Sequence, residues 1–481
     1  MAVQAQVAAV IDGEHVDAAR TFSDIDPSTG GVLAEVAAGE KQEIDDAVAA
    51  ARRAFETGWR HTVVAERSAL LRRLAELIRR DFDALALAES QDTGKPLTQA
   101  RTDVEVAARY FEFYADTVKA LHGDIIPAPT AGTMVLALRD PYGVTGHIVP
   151  WNYPVQISAR TVAPALATGN CCVLKPAEEA PLTAIRLADL ALEAGFPKGV
   201  FNVVPGLGEE AGAALAGHPG IDHLSFTGSP EVGTLVSKAA AENHVPVSLE
   251  LGGKSPNLLL ADADLETALP VIVNSIIQNG GQTCSAGSRL LVERSIQDRV
   301  TEDLRERFGR VTIGPGPDDK QLGPLISEKQ LERVKGYVEL ARQEGRVAVG
   351  GQAPDLGGGF FFQPTILDQV SPDARVAQEE IFGPVLTILP FDDAGDAARI
   401  ANATDFGLVA AIWTRDFDKA LWLANETRAG QVFVNTYGAG GGVELPFGGY
   451  KHSGHGREKG FEALAGYTHT KTVVMKYTEP R

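Results

Sequence analysis

From Pro141 onward, short apolar runs alternate with stretches at helical spacing, and this restricts the chain to few architectures. Thr145–Val149, Cys171–Leu174 and Val200–Val204 read as strands, and Leu182–Ala194 reads as a helix between two of them. That order predicts βαβ units on a parallel sheet. A second alternating block runs from about Pro256 to Asn435. Ahead of both lies a helix-rich lead-in. Lys41–Trp59 sets Ile44, Ala47, Val48, Ala51 and Phe55 on one helical face, with charges opposite, and Ala65–Phe82 and Phe82–Ser90 repeat the pattern. The expectation is an α/β chain with two nucleotide-fold-like domains. Gly123–Leu138 and the tail Tyr467–Tyr477 have strand character and suit a small separate sheet. Exposed strands of that kind invite pairing with another subunit.

Composition narrows the function classes. Lys plus Arg number 44 and Asp plus Glu 63, a formal net charge of −19. A nucleic-acid binder needs a basic face toward phosphate, so no nucleic-acid partner is expected. No stretch approaches the ~18 uninterrupted apolar residues of a membrane span, so no membrane partner is expected either. The three cysteines, Cys171, Cys172 and Cys284, are an odd count with two adjacent. That argues for a reducing compartment rather than a disulfide framework. Met1–Val10 lacks a basic start before its apolar run, so a cytoplasmic location is the default.

Four segments carry possible chemistry. Cys284 sits within Gln278–Arg289, behind the pair Gly280 and Gly281 and between polar residues. A free cysteine is often a buried inert thiol. Glycines that permit close approach, and polar flanks, suit a nucleophile whose pKa a positive field lowers. Glu250 lies between leucines just before Gly252 and Gly253. It is either a solvent-facing strand end or a partly desolvated base with a raised pKa. Asn152 stands in Pro150–Pro154, bracketed by prolines. It is either a turn residue or a rigid amide that donates to a developing oxyanion. Leu224–Gly233 reads as strand, glycine turn and helix start, where backbone N–H groups meet phosphate or merely cap a helix. Gly206–Gly212 has the wrong spacing and two glutamates for a dinucleotide fingerprint, and reads as a structural turn. No metal site is expected.

Taken in order, these segments resemble the NAD(P)-dependent aldehyde dehydrogenase superfamily. The resemblance rests on Pro150–Pro154, Leu174–Glu178, Phe226–Ser229 with Gly233, Leu249–Gly253, Gly281–Cys284, Glu379–Pro384 and Pro446–Lys451 running on to Ser453–Glu458. It implies two Rossmann-like α/β domains, cofactor and catalytic, plus a small β oligomerisation arm. By that resemblance, residues 1–119 and 141–250 form the cofactor domain and 251–447 the catalytic domain. Residues 120–140 and 466–481 would form the arm, and 448–465 a return segment packing on the cofactor domain. A homodimer or homotetramer is implied.

The same resemblance assigns roles. Cys284 would attack the aldehyde carbonyl, Asn152 and the Cys284 N–H would hold the oxyanion, and Glu250 would activate water to hydrolyse the thioester. NAD would lie on Trp151, Lys175, Glu178, Gly228, Ser229, Glu380 and Phe382. A glutamate at position 178 repels a 2′-phosphate and so favours NAD over NADP. The aldehyde would be a small molecule lined by Arg160, Tyr153, Thr283 and Ser285, with the Val443–Leu445 loop near it. Two departures stand out: Thr161 where many members have Lys, and Phe461 where an acid is often found, displaced here to Glu462. Arg160, where many members are apolar, is expected either to pair within its helix or to clasp a distal carboxylate of a semialdehyde. An aromatic aldehyde is also compatible. The competing functions are a CoA-acylating semialdehyde dehydrogenase, which usually lacks the Glu250 equivalent, and a catalytically silent NAD-binding protein.

Overall fold

Burial on both faces decides the first sheet. Val144–Ile148, Cys171–Lys175 and His223–Thr227 are buried at every position, as befits parallel strands covered by helices. In this computed structural model, which describes residues 4–438 and 442–478, they belong to an eight-stranded sheet. Its parallel centre runs Val247–Glu250, His223–Thr227, Val144–Ile148, Cys171–Lys175, Phe201–Val203. The chain order reverses between Val144–Ile148 and His223–Thr227, which makes a crevice at the carboxyl ends of those two strands. The helix Pro154–Thr168 follows, opened by a proline at its first position and stopped by Gly169 at φ 98°.

The second sheet has seven strands, ordered Arg346–Val349, Thr365–Asp368, Val385–Phe391, Arg289–Glu293, Pro256–Leu259, Val409–Trp413, Gln431–Val434. All neighbours are parallel except the first pair. Residues 251–255 join the carboxyl end of one sheet to the amino end of the other. Both α/β units are therefore as the alternation implies. A three-stranded antiparallel sheet of Thr468–Lys476, Thr133–Pro141 and Asp124–Ile126 stands apart, with nine residue pairs between the first two strands. Residues 479–481 of the expected arm, and 1–3 of the N-terminal segment, lie outside the described residues.

The lead-in differs from expectation. Before the helix Lys41–Thr57, five short strands occupy residues 4–37. Two of them, Ala9–Ile11 and Glu14–Val16, extend the first sheet antiparallel. These strands are three to six residues long, too short for period-2 alternation to stand out. Among the described residues, no helix is long and apolar enough to cross a membrane.

Candidate active site

Cys284 lies on the loop between the helix Leu265–Ile277 and the strand Arg289–Glu293. Two glycines let other segments close on that loop. A Cβ at Gly281, φ 69°, would stand 2.1 Å from the Gly383 carbonyl, and one at Gly253 2.3 Å from the Cys284 carbonyl. The thiol is half-buried and packs with Phe433 and Tyr437 against Leu408, Val409 and Phe447. Desolvation pushes it up to about 12, while Arg160 and Lys459 pull the other way. Cys171 and Cys172 are buried within their strand.

Asn152 follows the strand Val144–Ile148 into this loop. Its Nδ2 donates to the Gln282 carbonyl at 2.9 Å, two residues before the thiol, and its Oδ1 is buried without a partner. Asn279 Nδ2 donates to the Asn152 carbonyl at 2.8 Å. Next in chain, Tyr153 OH lies 2.7 Å from Thr283 Oγ1, and Ser285 accepts from Tyr437 OH through its carbonyl at 2.6 Å.

Glu250 ends its strand buried, with both carboxylate oxygens unpartnered. Desolvation, and then the charge of Glu458, raise its pKa well above the usual carboxylate range. Arg160 Nε meets Glu458 Oε2 at 2.5 Å, and the two side chains are 5% and 3% exposed. Glu458 also accepts from Ser225 Oγ at 3.0 Å. The Arg160 guanidinium and the Lys459 ammonium lie over the Phe447 ring at 5.4 and 5.0 Å. Burial lowers Lys459 to about 8.

A second cluster lines the crevice at the switch point. Lys175 Nζ donates to Glu178 Oε2 at 2.9 Å. Burial raises the Glu178 carboxyl, but Lys175 outweighs it and holds the group below its ordinary value. Ser229 caps the helix Pro230–Ala241, accepting from Val232 N, while Gly228 N donates to the Glu250 carbonyl. Glu380 accepts from Gly253 N at 2.9 Å, and burial lifts it to about 7. Phe382, at φ 62°, sets its ring edge-on to Trp151 at 5.3 Å. An ionised carboxylate for ribose hydroxyls, a helix N-terminus for phosphate and a second carboxylate nearer the thiol form a donor set that fits a dinucleotide.

The sequence profile described as "Aldehyde dehydrogenase family" matches residues 15–473. The chain belongs to the aldehyde dehydrogenase family. It is 44% identical over 469 residues to hydroxyisobutyraldehyde dehydrogenase of Mycolicibacterium austroafricanum, covering 96% of this chain and 92% of that protein. It is 43% identical to human retinal dehydrogenase 2, covering 96% and 90%. A putative aldehyde dehydrogenase from Burkholderia cenocepacia superposes with a TM-score of 0.96 at 53% identity, over 98% of this chain and 100% of that one. The NAD+ complex of betaine aldehyde dehydrogenase from Staphylococcus aureus gives 0.96 at 39%, over 98% and 95%. This chain is thus an enzyme of the aldehyde dehydrogenase family.

One expectation about its site changes. Arg160 was expected either to pair within its own helix or to clasp a substrate carboxylate; its ion-pair partner is Glu458 of the return segment, outside that helix. The acid beside Glu250 is likewise Glu458, whereas Glu462 is exposed at the start of a short helix. The return segment enters because Gly454–His455 pairs antiparallel with Val247–Glu250, which carries Glu458 and Lys459 toward the thiol. Glu458 belongs to a segment that carried the family resemblance, but nothing in sequence separates it from a surface charge. Tyr437, which walls the thiol, gave no signal beyond being aromatic, and Phe447 was legible only as a member of Pro446–Lys451, with no role attached.

Proposed function

We propose that this enzyme oxidises a small aldehyde to the carboxylic acid with NAD, through a covalent acyl group on Cys284. The observation that carries the reading is the convergence on one loop of a half-buried thiol, the Asn152 amide and, from the neighbouring sheet, an unpartnered buried glutamate. Glu178 and Lys175 would hold the adenine-side ribose, Gly228 and Ser229 the pyrophosphate, and Glu380, Phe382 and Trp151 the nicotinamide end. NAD bound there supplies the hydride acceptor for the oxidation. Residues 1–119 and 141–250 serve as the cofactor domain and 251–447 as the catalytic domain.

The chain's own groups do the rest. Cys284 as thiolate adds to the carbonyl carbon and forms the thiohemiacetal. The Asn152 amide and the Cys284 N–H donate to the oxygen that becomes negative. A thiol held at about 12 by burial needs help to ionise, and Arg160 and Lys459 supply part of the positive field. Once the carbon is oxidised, the acyl group remains on sulfur. Glu250, its proton affinity raised by burial, takes a proton from water as that water attacks the thioester. Acid leaves and the thiol is regenerated.

Leu408, Phe433, Tyr437 and Phe447 around the sulfur, with Arg160 occupied, favour an apolar or aromatic aldehyde over an anionic semialdehyde. The three-stranded arm, with Ile125 and Val474 exposed, serves pairing between copies in a homodimer or homotetramer. Three free cysteines suit a reducing compartment such as the cytoplasm. The test is NADH formation with a panel of neutral, aromatic and carboxylate-bearing aldehydes, with and without CoA, on the parent and Cys284→Ser. Acid as product, independent of CoA and lost in Cys284→Ser, supports the reading. A product that forms only with CoA, or full turnover by Cys284→Ser, overturns it.

A further inference from the structure

A second charged cluster lies directly behind Asn152, and no step above uses it. Lys95 is a fully buried lysine at 1% exposure, in the link between the helices Phe82–Thr93 and Leu97–Thr117. Its Nζ lies 2.5 Å from Asp103 Oδ2 and 3.5 Å from Glu89 Oε1, and both carboxylates are themselves buried. The same ammonium donates to the Asn152 carbonyl at 2.9 Å and sits 4.3 Å from the centre of the Tyr153 ring.

The anions are tied to the helix that Asn152 leads into. Glu89 Oε2 accepts from Val155 N at 3.3 Å, in the first turn of Pro154–Thr168, and from Thr183 Oγ1 at 2.6 Å. Asp103 Oδ1 accepts from Gln156 Nε2 at 3.5 Å. Lys95 and the two buried carboxyls, of which Asp103 is lifted by burial to about 7, therefore grip residues 152–156 by a carbonyl, a ring, a backbone N–H and a side-chain amide. On the far side of the turn, Asn152 Nδ2 and Tyr153 OH reach Gln282 and Thr283, the two residues before the thiol. Burying one ammonium with two carboxylates is costly unless geometry repays it. Here the repayment is a turn whose backbone carbonyl is held from behind by Lys95 and Asn279 while its amide faces the thiol loop.

We propose that Lys95, seated by Glu89 and Asp103, is the positioning residue of the oxyanion site, fixing the Asn152–Tyr153 turn so that the Asn152 amide meets the developing negative oxygen. This rests on the function proposed above and assigns it a support. Without the ammonium, the Asn152 carbonyl keeps only the Asn279 bond among those described, the Tyr153 ring loses its cation, and Glu89 and Asp103 repel each other. The turn then shifts, and an amide displaced by a fraction of an ångström loses much of its worth to the transition state.

The test compares three reactions of Cys284 in the full-length protein: aldehyde oxidation, hydrolysis of p-nitrophenyl acetate without NAD, and alkylation by iodoacetamide. The first two develop an oxyanion at a carbonyl and the third does not. Lys95→Met is expected to lower kcat for both carbonyl reactions about 100-fold, the scale of one lost oxyanion donor. Alkylation rate and NAD affinity should stay near those of the parent. Combined with Asn152→Ala, Lys95→Met should add little further loss, because both act on one amide. Asp103→Asn, which keeps the shape and loosens the lysine, should show the same selectivity with a smaller loss, and it decides the matter should Lys95→Met not fold. Unchanged carbonyl rates, an alkylation rate that falls in proportion, or losses that multiply in full with Asn152→Ala would overturn the proposal. Those results alongside an Asn152→Ala whose turnover is strongly lowered but measurable overturn the Lys95 assignment alone. A parent that turns over neither aldehyde nor ester overturns the function on which it rests.

Discussion

Arg160 Nε and Glu458 Oε2 meet at 2.5 Å in a buried ion pair that joins the helix Pro154–Thr168 to the return segment beside Glu250 and Cys284. It brings a cation and an anion into a site whose nucleophile and base are both disfavoured as charges by burial. The cation assists the thiolate; the anion raises the proton affinity of Glu250.

Breaking that pair is expected to be expensive. Arg160→Met leaves the Glu458 carboxylate buried without its cation, at a stability cost of about 3–5 kcal/mol. Urea denaturation of parent and variant measures this. If Arg160 is structural, kcat/KM should fall equally for neutral and carboxylate-bearing aldehydes. A selective loss on the carboxylate-bearing ones would return Arg160 to the substrate pocket.

The pH profile follows from Glu250. A base raised above the usual carboxylate range is protonated and idle at low pH, so hydrolysis of the acyl group should rise with pH through its titration. Glu250→Gln should remove that limb and lower the plateau by about 100-fold or more, the usual scale of general-base assistance. Rates of acyl release measured against pH check both points.

Stability has its own pH dependence. Burial lowers His147 to about 3 and His223 to about 4, and both rings lie against Tyr467, next to the arm strand Thr468–Lys476. The unfolded chain takes up these protons near pH 6.5, so the stabilisation is complete above that pH and is lost as pH falls toward 4. Between pH 7.5 and 5 the loss should be about 2 kcal/mol per histidine. Denaturation midpoints at the two pH values, with His223→Asn as comparison, test the slope.

Cofactor choice should turn on Glu178. The Lys175 ammonium keeps it ionised at neutral pH, where it repels a 2′-phosphate. Glu178→Ala removes a charge-assisted hydrogen bond of about 1.5–3 kcal/mol, so NAD binding should weaken by about tenfold or more while the preference over NADP narrows. Titration with both dinucleotides gives the ratio.

The candidate site was legible as a set of motifs in order rather than residue by residue. A cysteine among glycines and polar residues, a glutamate between leucines and an asparagine between prolines each left a structural reading open; only together, in the order of the family, did they point to one site. Three strands of the first sheet announced themselves as short, mostly apolar runs, and the second sheet only as a continued alternation. What stayed hidden were pairings across the chain. Arg160 and Glu458 are far apart in sequence, and Glu89 and Asp103 look like surface charges on helices, with Lys95 another in the link between them. Burial of a charge is a property of the packed molecule. The N-terminal strands escaped notice because a few residues cannot display a period, and one of them, Ala9–Ile11, pairs with Phe201–Val203 from much later in the chain.

The most direct measurement is intact-mass and peptide mass spectrometry of Glu250→Gln, mixed with NAD and an aromatic aldehyde and quenched during turnover. An acyl adduct on Cys284, absent without NAD and absent from Cys171 and Cys172, is expected to accumulate because its hydrolysis is slowed. Stoichiometric NADH with no adduct on Cys284 at any time would contradict a covalent route through that sulfur.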